Sequence, residues 1–538
     1  MAQGQTNLTI RKRLSTAEWT SFGGAFALRE GIELNSSNNI TKTYHFLYMV
    51  ELCFVSRYTK FGMGKGGEQI VVRIWKIALL LTLVVAMLSG CFSEKPVLEE
   101  LGKDGKGKIK VVYHDEDSFY SEYGHSFNIK YPDIEFEVVD LQEMYQQLQD
   151  KEDVDYQEEM RKFLDKHKPD VLMIDLQTME KMAQEGKLYN LDAIIAQESF
   201  DLEGYMPGLI DMIRGKGSGS LFGLAPNFYT NVIFYNAELF REHNIEPPRN
   251  KMTWQEIIDL SSRFTGTGSG ENQIYGYYER FGTAEQLLNN IATGSSLRLF
   301  DPKGEKLVFN TDGWKRAMKL ASDAIRNKSV YAQPMDDNNE HAFMEDNDLF
   351  FKGRAAMIID APWLISQLKN NAKWDKEAKP IDWGMVTAPV DPAAPDESSY
   401  ARLNEVFAIA ADSPNKRAAW EFVKFVNGPE LAKVASRSTR GNLPTRNQFM
   451  KEIDGKSTEA FYLLRPKTES DSMWDGTNVE VPPEFYSEFT TILSKGLKAV
   501  IDGKKTVEEA AAAIQAEGEI ALQKGRDAEK ARKEVQKK

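Results

Sequence analysis

Between Lys108 and Ile174 the chain alternates between strand-like and helix-like patterning, and that alternation limits what it can build. Lys108-Ile109-Lys110-Val111-Val112-Tyr113 alternates polar and apolar residues and then turns apolar, as a strand does. Ser118 to Lys130 is helix-like, Tyr131-Pro132-Asp133 breaks it, and Ile134-Glu135-Phe136-Glu137-Val138-Val139 alternates as a second strand. A helical stretch from about Gln142 to His167 leads through Pro169-Asp170 into Val171-Leu172-Met173-Ile174. That wholly apolar run suits a parallel strand covered on both faces. Strand, helix, strand, helix, strand is an α/β pattern. Ligands of open α/β sheets sit beyond the carboxyl ends of strands, which singles out His114-Asp115-Glu116-Asp117.

At 538 residues the chain is too long for one compact core, so at least two lobes are expected. A formal net charge of −13 argues against nucleic acid as the partner, because phosphate backbones call for a basic surface. Six His and two Cys, at positions 53 and 91, allow neither a disulfide framework nor a cysteine-rich zinc site.

Cys91 has an informative neighbourhood. Arg73 and Lys76 precede Ile77 to Leu88, which is apolar apart from Thr82, and Ser89-Gly90-Cys91 follows. The apolar run is too short to span a bilayer comfortably but matches the core of a signal peptide. Leu88-Ser89-Gly90-Cys91 resembles a bacterial lipobox, which implies cleavage before Cys91 and acylation of its thiol. Each buried methylene of such an anchor contributes about 0.8 kcal/mol. Residues 1–70 are expected to be an over-extended, unstructured N-terminus, with Val71 or Val72 as the true start. Residues 71–90 read as the signal peptide and 91–106 as a tether rich in Glu, Lys and Gly. From Cys91 onward 57 Lys and Arg stand against 75 Asp and Glu, so the exported body is distinctly acidic.

A longer series of motifs carries a family resemblance. Lys168-Pro169-Asp170-Val171-Leu172-Met173-Ile174-Asp175 is followed by Met182-Ala183-Gln184-Glu185-Gly186-Lys187-Leu188, then by Leu221-Phe222-Gly223-Leu224-Ala225-Pro226. Phe234-Tyr235-Asn236-Ala237-Glu238-Leu239-Phe240 and Thr253-Trp254-Gln255-Glu256 come next. Phe351-Lys352-Gly353-Arg354-Ala355-Ala356-Met357, Ala361-Pro362-Trp363 and Trp383-Gly384-Met385-Val386-Thr387-Ala388-Pro389 follow in order. Ser413-Pro414 opens a helix that continues to Phe425, and Thr506-Val507-Glu508-Glu509 opens the last. Together these are similar to the family 1 extracellular solute-binding proteins, the maltose-binding-protein-like group. Taken singly, several specify only fold. Thr253-x-x-Glu256 and Thr506-x-x-Glu509 are capping boxes, and Ser413-Pro414 reads as an N-cap with Pro at the first helical position.

The resemblance implies an α/β, two-lobed, periplasmic-binding-protein-like fold of type II, with a hinge and an interlobe cleft. The expected lobes are 107–223 with 384–430, and 226–380 with 431–528; residues 529–538 form a charged tail. Leu221–Pro226 and Trp383–Pro389 are the expected crossing strands. The implied function is the substrate-binding lipoprotein of an ABC importer, a monomer anchored outside the cell, handing a sugar or oligosaccharide to permease subunits. No catalytic residue, metal or cofactor is implied. A carbohydrate site combines aromatic platforms with carboxylates and amides. The expected contacts are Trp363 as stacking platform, Asn227 and Tyr229 after the first crossing, Asp115 and Glu116 after the first strand, Asp175 and Gln177 after the third, and Trp474 and Tyr486 late in the chain. Maltodextrin binders carry a denser aromatic and acidic set after the third strand, so maltose itself is doubtful. An enzyme is disfavoured by the lack of a G-x-S-x-G elbow, an H-E-x-x-H helix or a P-loop. A lipoprotein presenting ligand to a membrane sensor, or one binding a non-sugar solute, is the alternative.

Overall fold

The computed structural model describes residues 97–536 apart from 99, 102–104, 150–155, 281, 334–348, 375–378, 438–440 and 468–480. They lie in one unit, Pro96–Lys538. The expectations for residues 1–90, for Cys91 and for Trp474 lie outside the described residues.

Ten strands form two five-stranded sheets, and short two-stranded pairs stand beside them. In chain order they are β1 (Gly107–Tyr113), β2 (Ile134–Asp140), β3 (Val171–Ile174), β4 (Gly223–Leu224), β5 (Asn227–Phe228), β6 (Val232–Asn236) and β7 (Tyr275–Tyr278), followed by β8 (Val330–Tyr331), β9 (Ala355–Asp360), β10 (Trp383–Thr387), β11 (Glu397–Ser398), β12 (Val406–Ile409) and β13 (Leu443–Pro444). The first sheet runs β2-β1-β3-β12-β4 and the second β10-β6-β9-β7-β8. In the first, β1 is parallel to β2 and β3, whereas β12 is antiparallel to β3 and β4, with Val406 opposite Ile174 and Phe407 opposite Leu224. β3 and β12 are buried at every position, as their unbroken apolar sequences require.

Helices cover both sheets for local reasons. The expected helix after β1 runs from Glu116 to Lys130 but widens into a π turn over Tyr120–Gly124. It packs Phe119 and Phe127 against Phe136 and Phe422, rings meeting edge to face or tilted at 4.9–5.6 Å. Such pairs add about 0.5–1.5 kcal/mol each beyond burial. Over the second sheet, helix Trp254–Ser262 begins with the expected Thr253/Glu256 capping box. It lies so close to β7 that a Cβ on Gly276 would stand 2.3 Å from the Ser261 backbone, so only glycine fits there. The Thr506/Glu509 box is also formed, opening helix Val507–Gln536.

Three expectations are corrected. Helix Lys416–Val426 is preceded by Asn415 rather than Ser413. The Ser413 hydroxyl instead donates to Asp170 at 2.5 Å and accepts from the Asn415 N–H, closing a turn just before the helix. Trp383–Thr387 does not cross between lobes: it pairs antiparallel with β6 in the second sheet, and the chain re-enters the first sheet only at β12. Residues 431–437 and 441–446 sit against the first sheet's layer, not the second's. Arg446, 1% exposed, holds them there through the Asn427 carbonyl at 2.8 Å and the Asp201 carboxylate at 2.8 Å, stacked over Tyr205 at 4.4 Å. Beside it β13 pairs with β5.

Candidate functional site

The pairing registers fix which edges of the two sheets face the connections. β1 and β3 end, and β12 begins, on one edge of the first sheet; β4 leaves from that same edge. In the second sheet Val232 pairs with both Asp360 and Thr387. The start of β6 therefore lies beside the ends of β9 and β10, and β7, parallel to β9, ends there too. Residues 225–231 join the two edges in one direction and 388–405 in the other. A cleft between the edges is the consequence.

The first edge gathers Asp115, Asp175 and Asn227. Asp115 is the N-cap of the helix that follows β1, accepting from the Ser118 N–H at 2.7 Å. That bond holds its carboxyl below the usual carboxylate range. Asp175 caps helix Leu176–Gln184, accepting from the Gln177 and Thr178 N–H groups at 2.9 and 2.8 Å and from the Thr178 hydroxyl at 2.7 Å. Both carboxylates are thus committed to helix starts. Glu116 and Gln177 adjoin them as exposed first-turn residues. Asn227 is different. Its Nδ2 donates to the Tyr123 hydroxyl at 3.0 Å, and that hydroxyl donates to Glu405 Oε2 at 2.8 Å. Glu405 is 7% exposed; burial, offset in part by Tyr123, pushes its carboxyl up to about 7. Next to it the Tyr113 hydroxyl donates to Glu122 at 2.7 Å.

The second edge carries Trp363 and Tyr229. Trp363 is the first residue of helix Trp363–Trp374, directly after β9 and Pro362, with its indole partly exposed. The Arg280 guanidinium lies over its ring at 4.9 Å, donates to Gln367 Oε1 at 3.2 Å and faces the buried Asp360 carboxylate at 3.5 Å. Tyr229 exchanges backbone hydrogen bonds with Arg402 at 2.9 and 2.8 Å, so the two connections between the sheets are stitched together here. Burial and, after it, Asp360 raise the Tyr229 hydroxyl above its usual range. Behind Arg280, Glu279 accepts from Asn290 Nδ2 at 2.6 Å. Burial pushes its carboxyl up to about 7, although the residue as a whole is half-buried.

The structure therefore gathers Asp115, Asp175, Asn227, Tyr229 and Trp363 on the facing edges. Tyr486 is placed in the first turn of helix Pro483–Ile501, whose Phe485 and Phe489 enter the second core. The sequence singled out none of Arg280, Asp360, Glu279, Tyr123 and Glu405. Glu279 and Arg280 follow the carboxyl end of β7 and Asp360 closes β9, where the rule applied to Asp115 would have found them. Glu405 precedes an antiparallel strand, where that rule is blind. Among the described residues no group of three or more His, Cys, Asp or Glu is arranged to hold a metal ion.

The edges offer an aromatic face, a fixed guanidinium and neutral hydrogen-bonding groups that point in set directions. That set suits the binding of a polar solute. A model of the bacterial extracellular solute-binding proteins matches residues 103–433. A maltotriose-binding protein of Pyrococcus abyssi is 23% identical over 327 residues, 57% of this chain; the match covers 64% of that relative, just short of two thirds of its length. The sn-glycerol-3-phosphate-binding periplasmic protein UgpB of Yersinia enterocolitica is 22% identical over 344 residues, 61% of this chain and 73% of its own. Among solved structures, a sugar transporter of Rhizobium etli in an open conformation aligns with a TM-score of 0.54 at 20% identity, covering 76% of this chain and 98% of that one. The sugar-binding protein MalE of Xanthomonas citri aligns at 0.52 and 17%, covering 79% and 99%. At these identities the likeness shows the two-lobed fold alone.

Proposed function

Because the chain belongs to the bacterial extracellular solute-binding proteins, we propose that it captures a sugar or oligosaccharide between its lobes and passes it to the permease subunits of an ABC importer. The family is one of binding proteins, so the chain is not an enzyme. The observation that carries the sugar reading is Trp363 at the edge of the second sheet. Arg280 covers one face of its indole and Gln367 and Asp360 hold the guanidinium. Trp363 stays partly exposed, and its indole would pack on the weakly apolar face of a pyranose, with Asn227 and Tyr229 supplying polar contacts from the hinge. Ligand that touches both edges has higher affinity for the closed arrangement and shifts the population toward it. The closed form is the one that docks on the permease. Acylation of Cys91 after cleavage, a monomeric body on the outer face of the membrane and the tether up to residue 106 complete this reading, and no cofactor enters it. The lobes follow the sheets, with 107–224 and 406–446 in the first and 232–387 and 483–536 in the second.

A second reading, an anionic polyol or other non-sugar solute, draws on Arg280, whose planar fork suits an oxyanion. A thermal-shift screen of the purified protein against mono- and oligosaccharides, glycerol phosphates, amino acids and peptides separates them. A ligand at a hundred times its dissociation constant stabilises by about 2.7 kcal/mol. A shift with one glycan class, with affinity weakened about thirtyfold in Trp363→Ala, is the expected result. Shifts with non-sugar solutes alone would sink the sugar reading.

A further inference from the structure

We propose that a groove on the first lobe, between helix Gln142–Leu148 and the start of helix Tyr156–His167, is an outer subsite for one further pyranose ring. The ligand is then an oligosaccharide that runs out of the cleft onto this lobe; the inference rests on the sugar reading above. Six side chains line the groove, Gln142, Tyr145, Gln146, Leu148, Gln149 and Tyr156, around a volume of ≈ 500 Å³. That is of the order of an ordinary small-molecule pocket, about 300–1,000 Å³.

The chemistry of the lining selects its occupant. Tyr145 and Tyr156 are 42% and 36% exposed, and their planes lie within 7° of each other at 5.9 Å. Their hydroxyls share a hydrogen bond of 2.8 Å, which fixes both rings in one orientation. Two rings held parallel and left open to water form a platform whose burial needs a flat, partly apolar partner. Three glutamines surround them, each with a donor and an acceptor on one planar amide. Among the described residues that line the groove none carries a carboxylate, ammonium or guanidinium. A neutral ring with hydroxyls on its rim and C–H groups on its face matches every lining group.

The groove also lies where such a ligand would arrive. Helix Gln142–Leu148 starts directly after β2, and the Leu141 N–H donates to the Tyr113 carbonyl at 3.0 Å, so it springs from the ligand-facing edge of the first sheet. Burial, the Tyr145 hydroxyl and the charge of Asp175 together raise the Tyr156 hydroxyl, which places Asp175, at the end of β3, within electrostatic reach. The turn after β3 has no aromatic residue in Asp175-Leu176-Gln177. The tyrosine pair supplies the platform from the neighbouring connection instead.

Isothermal titration of the full protein with malto-, cello-, xylo- and chito-oligosaccharide series, from monosaccharide to hexasaccharide, tests this. In the series that binds, affinity is expected to rise at one chain length. Tyr145→Ala/Tyr156→Ala should abolish that rise, a loss of about tenfold for the long members, and leave the shortest binder unchanged. The Tyr145→Phe/Tyr156→Phe pair keeps the rings and should retain most of the gain. Equal losses for short and long members, or no loss at all, would overturn the subsite and leave the sugar reading standing. Failure of every series to bind the wild-type protein would overturn both.

Discussion

The two edges that face the cleft are built from similar residues but commit them differently. On the first lobe Asp115 and Asp175 spend their oxygens on helix N–H groups, and Glu405 is enclosed behind Tyr123 and Asn227. On the second lobe Arg280, Trp363 and Gln367 hold one another at the rim, and Trp363 stays partly exposed. A charged residue at the end of a strand is thus not evidence of ligand contact until its hydrogen bonds are accounted for. Carboxylates that cap helices stabilise the frame; under the proposed reading, ligand selection falls to residues such as Trp363 that stay partly exposed.

The largest effect that would break this contrast lies beneath the first edge. Arg446→Ala removes a buried guanidinium from the Asn427 carbonyl, Asp201 and the Tyr205 ring. A loss of about 3 kcal/mol is expected in denaturant titration, with ligand affinity nearly unchanged. A matching loss of affinity would make the first lobe's frame part of the site.

Next comes Glu405. Its carboxyl is raised to about 7 in the folded protein, against about 4.3 in an unfolded chain. The folded state therefore binds the extra proton between those values, and stability falls as pH rises through them. The contribution is fully present below about pH 4.3 and lost above about 7. Glu405→Gln should flatten that part of the melting-temperature profile and stabilise the protein by about 2 kcal/mol at pH 8. A profile with the wild-type slope would show that the carboxyl ionises freely.

The smallest effect sharpens the contrast most. Asp175→Ala loses an N-cap and should cost about 1 kcal/mol of stability while leaving ligand affinity within twofold. A tenfold loss of affinity would move Asp175 from frame to site.

Much of the frame was legible because its determinants are local. Strands β1 to β3 show in alternation and apolar runs, and Thr253 with Glu256 specifies a helix start within four residues. Asn227, Tyr229 and Trp363 are expected from the family resemblance rather than from any local rule, and the structure sets them at or beside the ends of strands on the facing edges. Tyr123 and Glu405 are 282 residues apart in sequence, and nothing in Arg402-Leu403-Asn404-Glu405 distinguishes a buried carboxyl from a surface turn. Trp383–Thr387 misled because a strand's sequence does not say which sheet it joins; pairing with β6 decided that. Arg446 shows the same limit, since an arginine's burial follows from partners elsewhere in the chain, such as Asp201.

The pairing of Tyr229 with Arg402 has a mechanical consequence. Two chain segments that bridge the lobes side by side, bonded through their backbones, act as a flexure. Bending about the line joining them turns a few torsions, whereas sliding or twisting one lobe against the other would shear both backbone hydrogen bonds of the Tyr229–Arg402 bridge. The bridge therefore favours bending over sliding at this point of the hinge, and a molecule with one soft axis would repeat the same approach each time, so that Trp363 would meet the opposite edge in a constant orientation.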